Sequence, residues 1–419
     1  AKRRLADLPK NEATAAVAKW IGGLDDNDPK LEHRLYEAIG VFESHESVNR
    51  PLLERLLKAK VYRARAYATR VAGRWHDRLE DPLDLLKRSV TDKSARVRLE
   101  AVVACSDIDT ADSMTVAAIA IDRPTDRFTN FALTQTVHAL APHWRPALNQ
   151  GQLTFGNPAG LIYVLQAYGG KDVAGQVRGL IQSKEISTNG RRQLLQLLAR
   201  TGNADDLQNV FGFALRDPQL LTSLPAIVEA RRLVPSRAVH RELEAMLRHE
   251  NTNVRSSAAR LVGLWKQRQL VPMLQPIVDG NDDDQIRAAA IRSLAELSPD
   301  TAVKKSQPFI APKHSPQVYL AALEAVARQD VNTAAIAGLK LLAALDDARL
   351  SGPVLSTIMN RRGSAKAMAA ALKQGDVSVD DAKLMSRWFS AAGHDNEELV
   401  NALKSCMGIK PGEETPYDI

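Results

Sequence analysis

Apolar residues recur three and four positions apart along most of the chain, the spacing of one face of an α-helix. In Thr91–Ala104 the stripe is Val97, Ala101 and Ala104. Asp92 precedes it as a candidate cap, its carboxylate placed to accept from first-turn N–H groups. Arg98 lies on the flank, within reach of the carboxylate or carbonyls of the preceding turn. Small alanines let the next helix lie close. Such a helix pair cannot bury both faces alone, so it needs copies stacked on either side.

The copies are present. Arg65/Ala68, Arg98/Ala101, Arg255/Ala258 and Arg287/Ala290 share an Arg-x-x-Ala core, and Tyr319/Ala322 continues it with Tyr replacing Arg. Neighbouring copies lie 32 or 33 residues apart, the length of one supersecondary unit. Related turns precede them at Asp81-Pro82, Thr91-Asp92, Asn251–Asn253 and Gly280–Asp284, and Asp284 reads as a second helix-start cap. An Asp-rich turn followed by Val-Arg and alanines resembles the HEAT-repeat family. The expected fold is therefore all-α, a HEAT-repeat-like α-solenoid.

Taken in order, the pattern predicts helices over 5–20, 31–42, 51–57, 61–75, 82–90, 96–105 and 114–121. Between Asp122 and Gly170 the repeat departs from its pattern, and Phe128, Phe131, Trp144 and Phe155 gather in a Pro-interrupted stretch. This segment reads as a packing site or docking corner. Ordinary pairs resume near Leu180 and run through 254–265 and 286–297, with Pro272, Pro276 and later prolines expected in the turns. Shorter Ala-rich helices follow. The expected division is a solenoid over 1–349, a helical capping region over 350–407, and a linker or tail over 408–419.

Composition agrees with stacked helices: of 419 residues 45% are hydrophobic but only 5% aromatic. No apolar run approaches the ~20 residues that span a bilayer as a helix, and the first residues carry no apolar leader core. Cys105 and Cys406 lie far apart and make neither a disulfide framework nor a zinc spacing.

The formal net charge of +7 raises the question of an anionic partner. Lys58, Lys60, Arg63, Arg70 and Arg74 form the densest basic stretch, and the last three share one helical face. Acidic residues bracket it, so a solvated outer face is the favoured reading over a nucleic-acid footprint.

A narrower resemblance rests on Arg34-Leu-Tyr-Glu-Ala, Ala64-Arg-Ala, Asp81-Pro-Leu, Arg96-Val-Arg-Leu-Glu-Ala-Val, Asp122-Arg-Pro-Thr-Asp and Leu153-Thr-Phe-Gly-Asn-Pro. Together these resemble the HEAT block of large multidomain haem-binding proteins of planctomycete-type bacteria. There a dehydrogenase-like propeller precedes the repeats and a c-type cytochrome domain follows. The resemblance implies a middle domain that docks propeller and cytochrome domains, in an extracytoplasmic or periplasmic setting; a cytoplasmic free-standing module is the alternative. It places haem c in a following domain, because Cys-x-x-Cys-His does not occur in this chain and Cys406 is followed by Met-Gly-Ile.

The catalytic motifs sought, among them His-Glu-x-x-His, Gly-x-Ser-x-Gly and phosphate-cradling glycine loops, do not occur. His138 and His143 are five apart with Pro142 between them and read as structural rather than metal ligands. The expectation is a non-catalytic scaffold without a cofactor, docking other protein domains, with an anionic-partner module as the rival.

Overall fold

The computed structural model describes residue 5 and residues 7–345, 347–375, 377–394 and 396–409. Among these, every regular element is a helix. Contacts divide the chain into two compact units, residues 1–201 and 202–419.

The first unit holds α1 (Lys10–Gly22), α2 (Leu31–Ser44), α3 (Arg50–Leu57), α4 (Tyr62–Arg74), α5 (Pro82–Ser89) and α6 (Ala95–Ser106). It continues with α7 (Ala111–Ala118), α8 (Arg127–Ala139), α9 (Ala141–Asn149), α10 (Pro158–Tyr168), α11 (Ala174–Ile181) and α12 (Thr188–Thr201). The even-numbered helices from α2 to α12 stack on one another as a first layer. The odd-numbered helices, shorter from α3 onward, cover it. The Arg-x-x-Ala copies all fall on first-layer helices, because alanines at Ala68, Ala72, Ala101 and Ala104 permit close approach.

Gly73 marks a close approach of α4 to α6. A Cβ there would stand 2.6 Å from the Cβ of Ala104 and 3.0 Å from its Cα. The same repeat position in the second unit is Gly263, where a Cβ would meet Ser293 Cα at 2.6 Å.

The second unit comprises α13 (Ala204–Ala214), α14 (Pro218–Arg231), α15 (His240–Leu247), α16 (Thr252–Leu264), α17 (Val271–Asp279), α18 (Asp284–Leu297) and α19 (Pro299–Ser306). Beyond these lie α20 (Pro316–Gln329), α21 (Val331–Ala343), α22 (Ser351–Met359), α23 (Ser364–Gln374), α24 (Val379–Ala391) and α25 (Glu397–Cys406). Here α14, α16, α18 and α20 form the close-packed layer. After α20 that role passes to α21, α23 and α25. One apolar core runs from Tyr319 through Leu355, Met368 and Phe389 to Leu403, joining α20 and α21 to the helices of the expected capping region.

Helix starts follow from side-chain chemistry. Asn49, Asp126, Asn157, Asn251 and Asp330 each accept from a first-turn amide. Asn203 and Asp206 close a reciprocal capping box.

Several expectations need correction. Leu5 is helical, but residues 7–9 interrupt the helix expected over 5–20, which continues from Lys10 as α1. The stretch 122–170 holds three regular helices, α8 to α10, and the irregular backbone is confined to the short connections at residues 123–126, 150–157 and 169–170. Pro276 lies inside α17 rather than in a turn. Residues 410–419 of the expected tail lie outside the described residues.

Candidate docking surface

Four arginines lace the repeats together. Arg65 donates from Nη1 to the carbonyls of Ala59 and Lys60, both at 2.8 Å, and from Nε and Nη2 to the Asp92 carboxylate of the next repeat. Arg98 donates to the Asp92 carbonyl at 2.8 Å and forward to the Pro124 carbonyl at 2.7 Å. Arg255 reaches back to the Leu247 carbonyl and forward to Asp282, the latter at 2.7 Å. Arg287 takes the carbonyls of Val278 and Gly280 and the carboxylate of Asp284. Tyr319 replaces this pattern with a buried ring whose hydroxyl has no hydrogen-bond partner among the described residues. Ala68, Ala101, Ala258 and Ala290 are all fully buried beneath the lacing.

The two capping assignments shift. Asp92 accepts from the Ser94 amide and from Arg65, and Ser94 is the residue that precedes α6, so Asp92 is an inter-repeat anchor rather than an N-cap. Burial raises the Asp92 carboxyl, but Arg65 and the Ser94 amide outweigh that and hold it below the usual carboxylate range. Asp283 caps α18 through the Gln285 amide, and Asp284 is the first helical residue, paired with Arg287 at 2.9 Å. The three adjacent aspartates differ only in backbone conformation, which residue identity does not specify.

The outward edges of α2, α4, α6 and α8 form an aromatic and guanidinium surface in the first unit. Equivalent repeat positions place Arg63, Arg96 and Phe128 in one row, and Ala66, Leu99 and Phe131 in a second. Phe128 and Phe131 are 56% and 67% exposed, unusual for rings of this size. Arg127 lies 4.6 Å from the Phe128 ring centroid. Between α2, α4 and α6 a groove of about 510 Å³ is lined by His33, Tyr36, Tyr67, Arg63, Arg96 and neighbouring residues. His33 stacks on Tyr36, whose ring lies 4.6 Å from that of Tyr67.

Two buried carboxylates hold the groove's side chains, Glu100 lining it and Glu43 behind Tyr67. Glu43 accepts from the Tyr67 hydroxyl and from Arg74. Glu100 pairs with Arg96 at 2.7 Å and with Arg70 at 3.2 Å. Burial, reinforced by Glu43, raises the Tyr67 hydroxyl and keeps it a donor. Arg70 and Arg74 are therefore committed to internal carboxylates, whereas Arg63, Lys58 and Lys60 stay exposed without an ion-pair partner among the described residues.

The docking candidates separate. Phe128 and Phe131 face solvent, and Phe155 is half-buried. Trp144 is 1% exposed, its indole N–H donates to the Val137 carbonyl at 2.9 Å, and its ring meets the edge of Tyr168. Trp144 belongs to the core, because α9 turns it inward against α8. The sequence pattern did not single out Tyr36, Tyr67, Arg96, Glu43 and Glu100; aligning the copies on Arg65 and Arg98 places Arg96 beside Arg63, but α8 has no Arg-x-x-Ala copy to place Phe128.

A second charged array crosses α14, α16, α18 and α20. Arg260, its side chain 9% exposed, holds Glu229 at 2.5 Å and Glu296 at 2.7 Å. Lys266 also reaches Glu296, while Glu324 receives Arg328 and Arg292. Each carboxylate has a cation, so the array reads as an inter-repeat clamp.

Among the described residues no group of three or more His, Cys, Asp or Glu side chains is arranged to hold a metal ion. His143 faces Asp109 at 3.7 Å, and His138 packs on Tyr168. No described helix is long and apolar enough to cross a membrane.

The sequence model of the family described as HEAT repeats matches residues 241–340, the span from α15 through most of α21. The fold is a HEAT-repeat-like α-solenoid. No curated protein matches the chain. Similar solved structures include Kap121p bound to Pho4p, at 12% identity and a TM-score of 0.43, covering 96% of this chain and 46% of that one. The karyopherin Kap121p bound to the extreme C-terminus of the protein phosphatase Cdc14p is also 12% identical, with a TM-score of 0.44 and the same coverage. The chain spans less than half the length of these solved structures.

Proposed function

We propose that this chain is a non-catalytic scaffold that docks other protein domains through the first-layer surface of residues 1–201. The exposed pair Phe128 and Phe131 carries this reading, Phe128 continuing the row of Arg63 and Arg96 and Phe131 that of Ala66 and Leu99. Aromatic and arginine side chains are the types that concentrate in protein interfaces and supply their hot spots. The rings lie on packed helices, so binding orders little backbone and the entropic cost of association stays low. The sequence resemblance supports a propeller and a c-type cytochrome domain as the docked partners, in an extracytoplasmic parent protein with haem c outside this chain.

Photo-crosslinking in the native host tests the surface. Benzoylphenylalanine replacing Phe131 should yield one dominant protein adduct, identified by mass spectrometry, and the same probe replacing exposed Lys87 on α5 should not. Equal labelling from both positions, or none from Phe131, would remove the assignment. Intact mass and visible absorption of the natively isolated protein test the context. A mass well above 45.9 kDa with a c-type haem band supports the cytochrome-linked parent. A mass near that value with no haem band overturns it and leaves a free-standing scaffold.

A further inference from the structure

The turns that precede α4, α6 and α8 lie side by side in the first unit. Glu32 of α2 accepts from the amides of Lys60 and Val61. Arg65 binds the carbonyls of the turn at Ala59–Lys60 and the carboxylate of Asp92, and Arg98 joins the turn at Asp92–Lys93 to Pro124. The carboxylates on this edge are engaged: Glu32 by backbone, Asp92 by Arg65 and Ser94, Asp122 by the Asn157 side chain, and Asp126 by the Thr129 amide.

The cations there are not. Lys60, Arg63, Lys93, Arg123 and Arg127 are exposed, and none has an ion-pair partner among the described residues. Lys60 and Lys93 hold the same repeat position, with Arg123 in the third turn. Exposed aromatic surface adjoins them at Tyr62 and Phe128. A partner docking here thus meets one unpaired cation or more per repeat, beside rings.

We propose that this laced turn edge selects an acidic polypeptide segment of the docked partner, extended across three repeats. The proposal rests on the docking reading above and specifies the chemistry of the partner. Packed helices are spaced about 8–10 Å apart. An extended polyproline-II segment advances about 9.3 Å in three residues and returns every third side chain to the same face. Carboxylates three residues apart therefore match cations one repeat apart, and intervening apolar side chains meet Tyr62 and Phe128. A nucleic-acid strand offers phosphate charge to the same cations, and the test separates the two.

The full chain is titrated with a fluorescein-labelled Pro-rich peptide carrying Glu at every third position, with its Gln counterpart, and with a mixed-sequence single-stranded oligonucleotide. The Glu peptide should bind, more weakly as salt is raised, and the Gln peptide should not. Lys60→Gln, Lys93→Gln and Arg123→Gln combined should weaken Glu-peptide binding roughly tenfold, the summed loss of three modest exposed ion pairs. These residues are on the surface, so circular dichroism should be unchanged; Lys19→Gln, on α1, is the control. Tighter binding of the oligonucleotide through the same three residues would overturn the peptide assignment in favour of a phosphate polymer. Equal binding of both peptides, or a triple variant indistinguishable from the parent, would overturn charge selection altogether. If the Phe131 crosslink persists in that case, the docking reading stands without the acidic partner; if it too is missing, the docking reading falls.

Discussion

Arg65 and Asp92, 27 residues apart, form a two-point ion pair at 2.7 and 2.9 Å that joins one repeat to the next. Both side chains are nearly buried, at 9% and 13% exposure. Removing the guanidinium leaves the Ala59 and Lys60 carbonyls without this donor and the Asp92 carboxylate with the Ser94 amide but no cation. Arg65→Ala should therefore cost on the order of 3 kcal/mol, as expected for breaking a buried pair, whereas Lys19→Ala on the exposed side of α1 should stay within about 0.5 kcal/mol. Urea unfolding measures both, and similar losses for the two variants would contradict the lacing role.

The same pair sets a pH dependence. Asp92 is held below the usual range in the folded state, so its stabilisation is complete above the unfolded carboxyl value of about 3.9. It is lost as pH falls through the lower folded value, because the unfolded chain takes up the proton first. Glu296 and Glu324 behave alike: burial opposes their ionisation, but Lys266 and Arg260, and Arg328 and Arg292, outweigh it. Unfolding midpoints should decline as pH falls below about 4, and Asp92→Asn should show a shallower decline than the parent. An unchanged slope would remove Asp92 from the titrating set.

Helix-to-helix approach depends on two equivalent glycines. Gly263→Ala would drive a methyl onto the Ser293 backbone, and Gly73→Ala onto Ala104. Each should lose about 1–3 kcal/mol to overpacking, partly offset by the better helix propensity of alanine. Gly212 in α13 has open space around its Cβ direction, so Gly212→Ala should stabilise by about 0.5–1 kcal/mol. Thermal melts that rank the three equally would show that the close approach is not limiting.

The two thiols should react at different stages. Cys105 is fully buried, and burial pushes its thiol up to about 12. Cys406 is half-buried on α25. A thiol-reactive chromophore should label Cys406 in the native protein and Cys105 only after denaturation. Native labelling of Cys105 would indicate that α6 opens readily.

Some features were legible because they depend on chemistry repeated at a fixed interval. The Arg-x-x-Ala copies exposed the stacking unit, and their alanines marked the helices that approach closely. The site was less legible. Arg70 and Arg74 resemble free cations in a basic run until the fold brings Glu100 and Glu43 beside them. Trp144 sits in an aromatic-rich stretch, yet the rotation of α9 sends it inward while Phe128 and Phe131 on α8 point out. Aspartate identity likewise did not distinguish the cap Asp283 from the first-turn Asp284.

The sequence by itself determined that the chain forms helices, that they pair, and that the pairs recur every 32 or 33 residues. These properties follow from local periodicity and from the need of each amphipathic face for a neighbour. Tertiary structure decided which charges remain free. Guanidinium and carboxylate groups one repeat apart either meet or miss according to helix rotation and spacing, and a distance of a few ångströms separates a buried ion pair from a cation exposed to a partner.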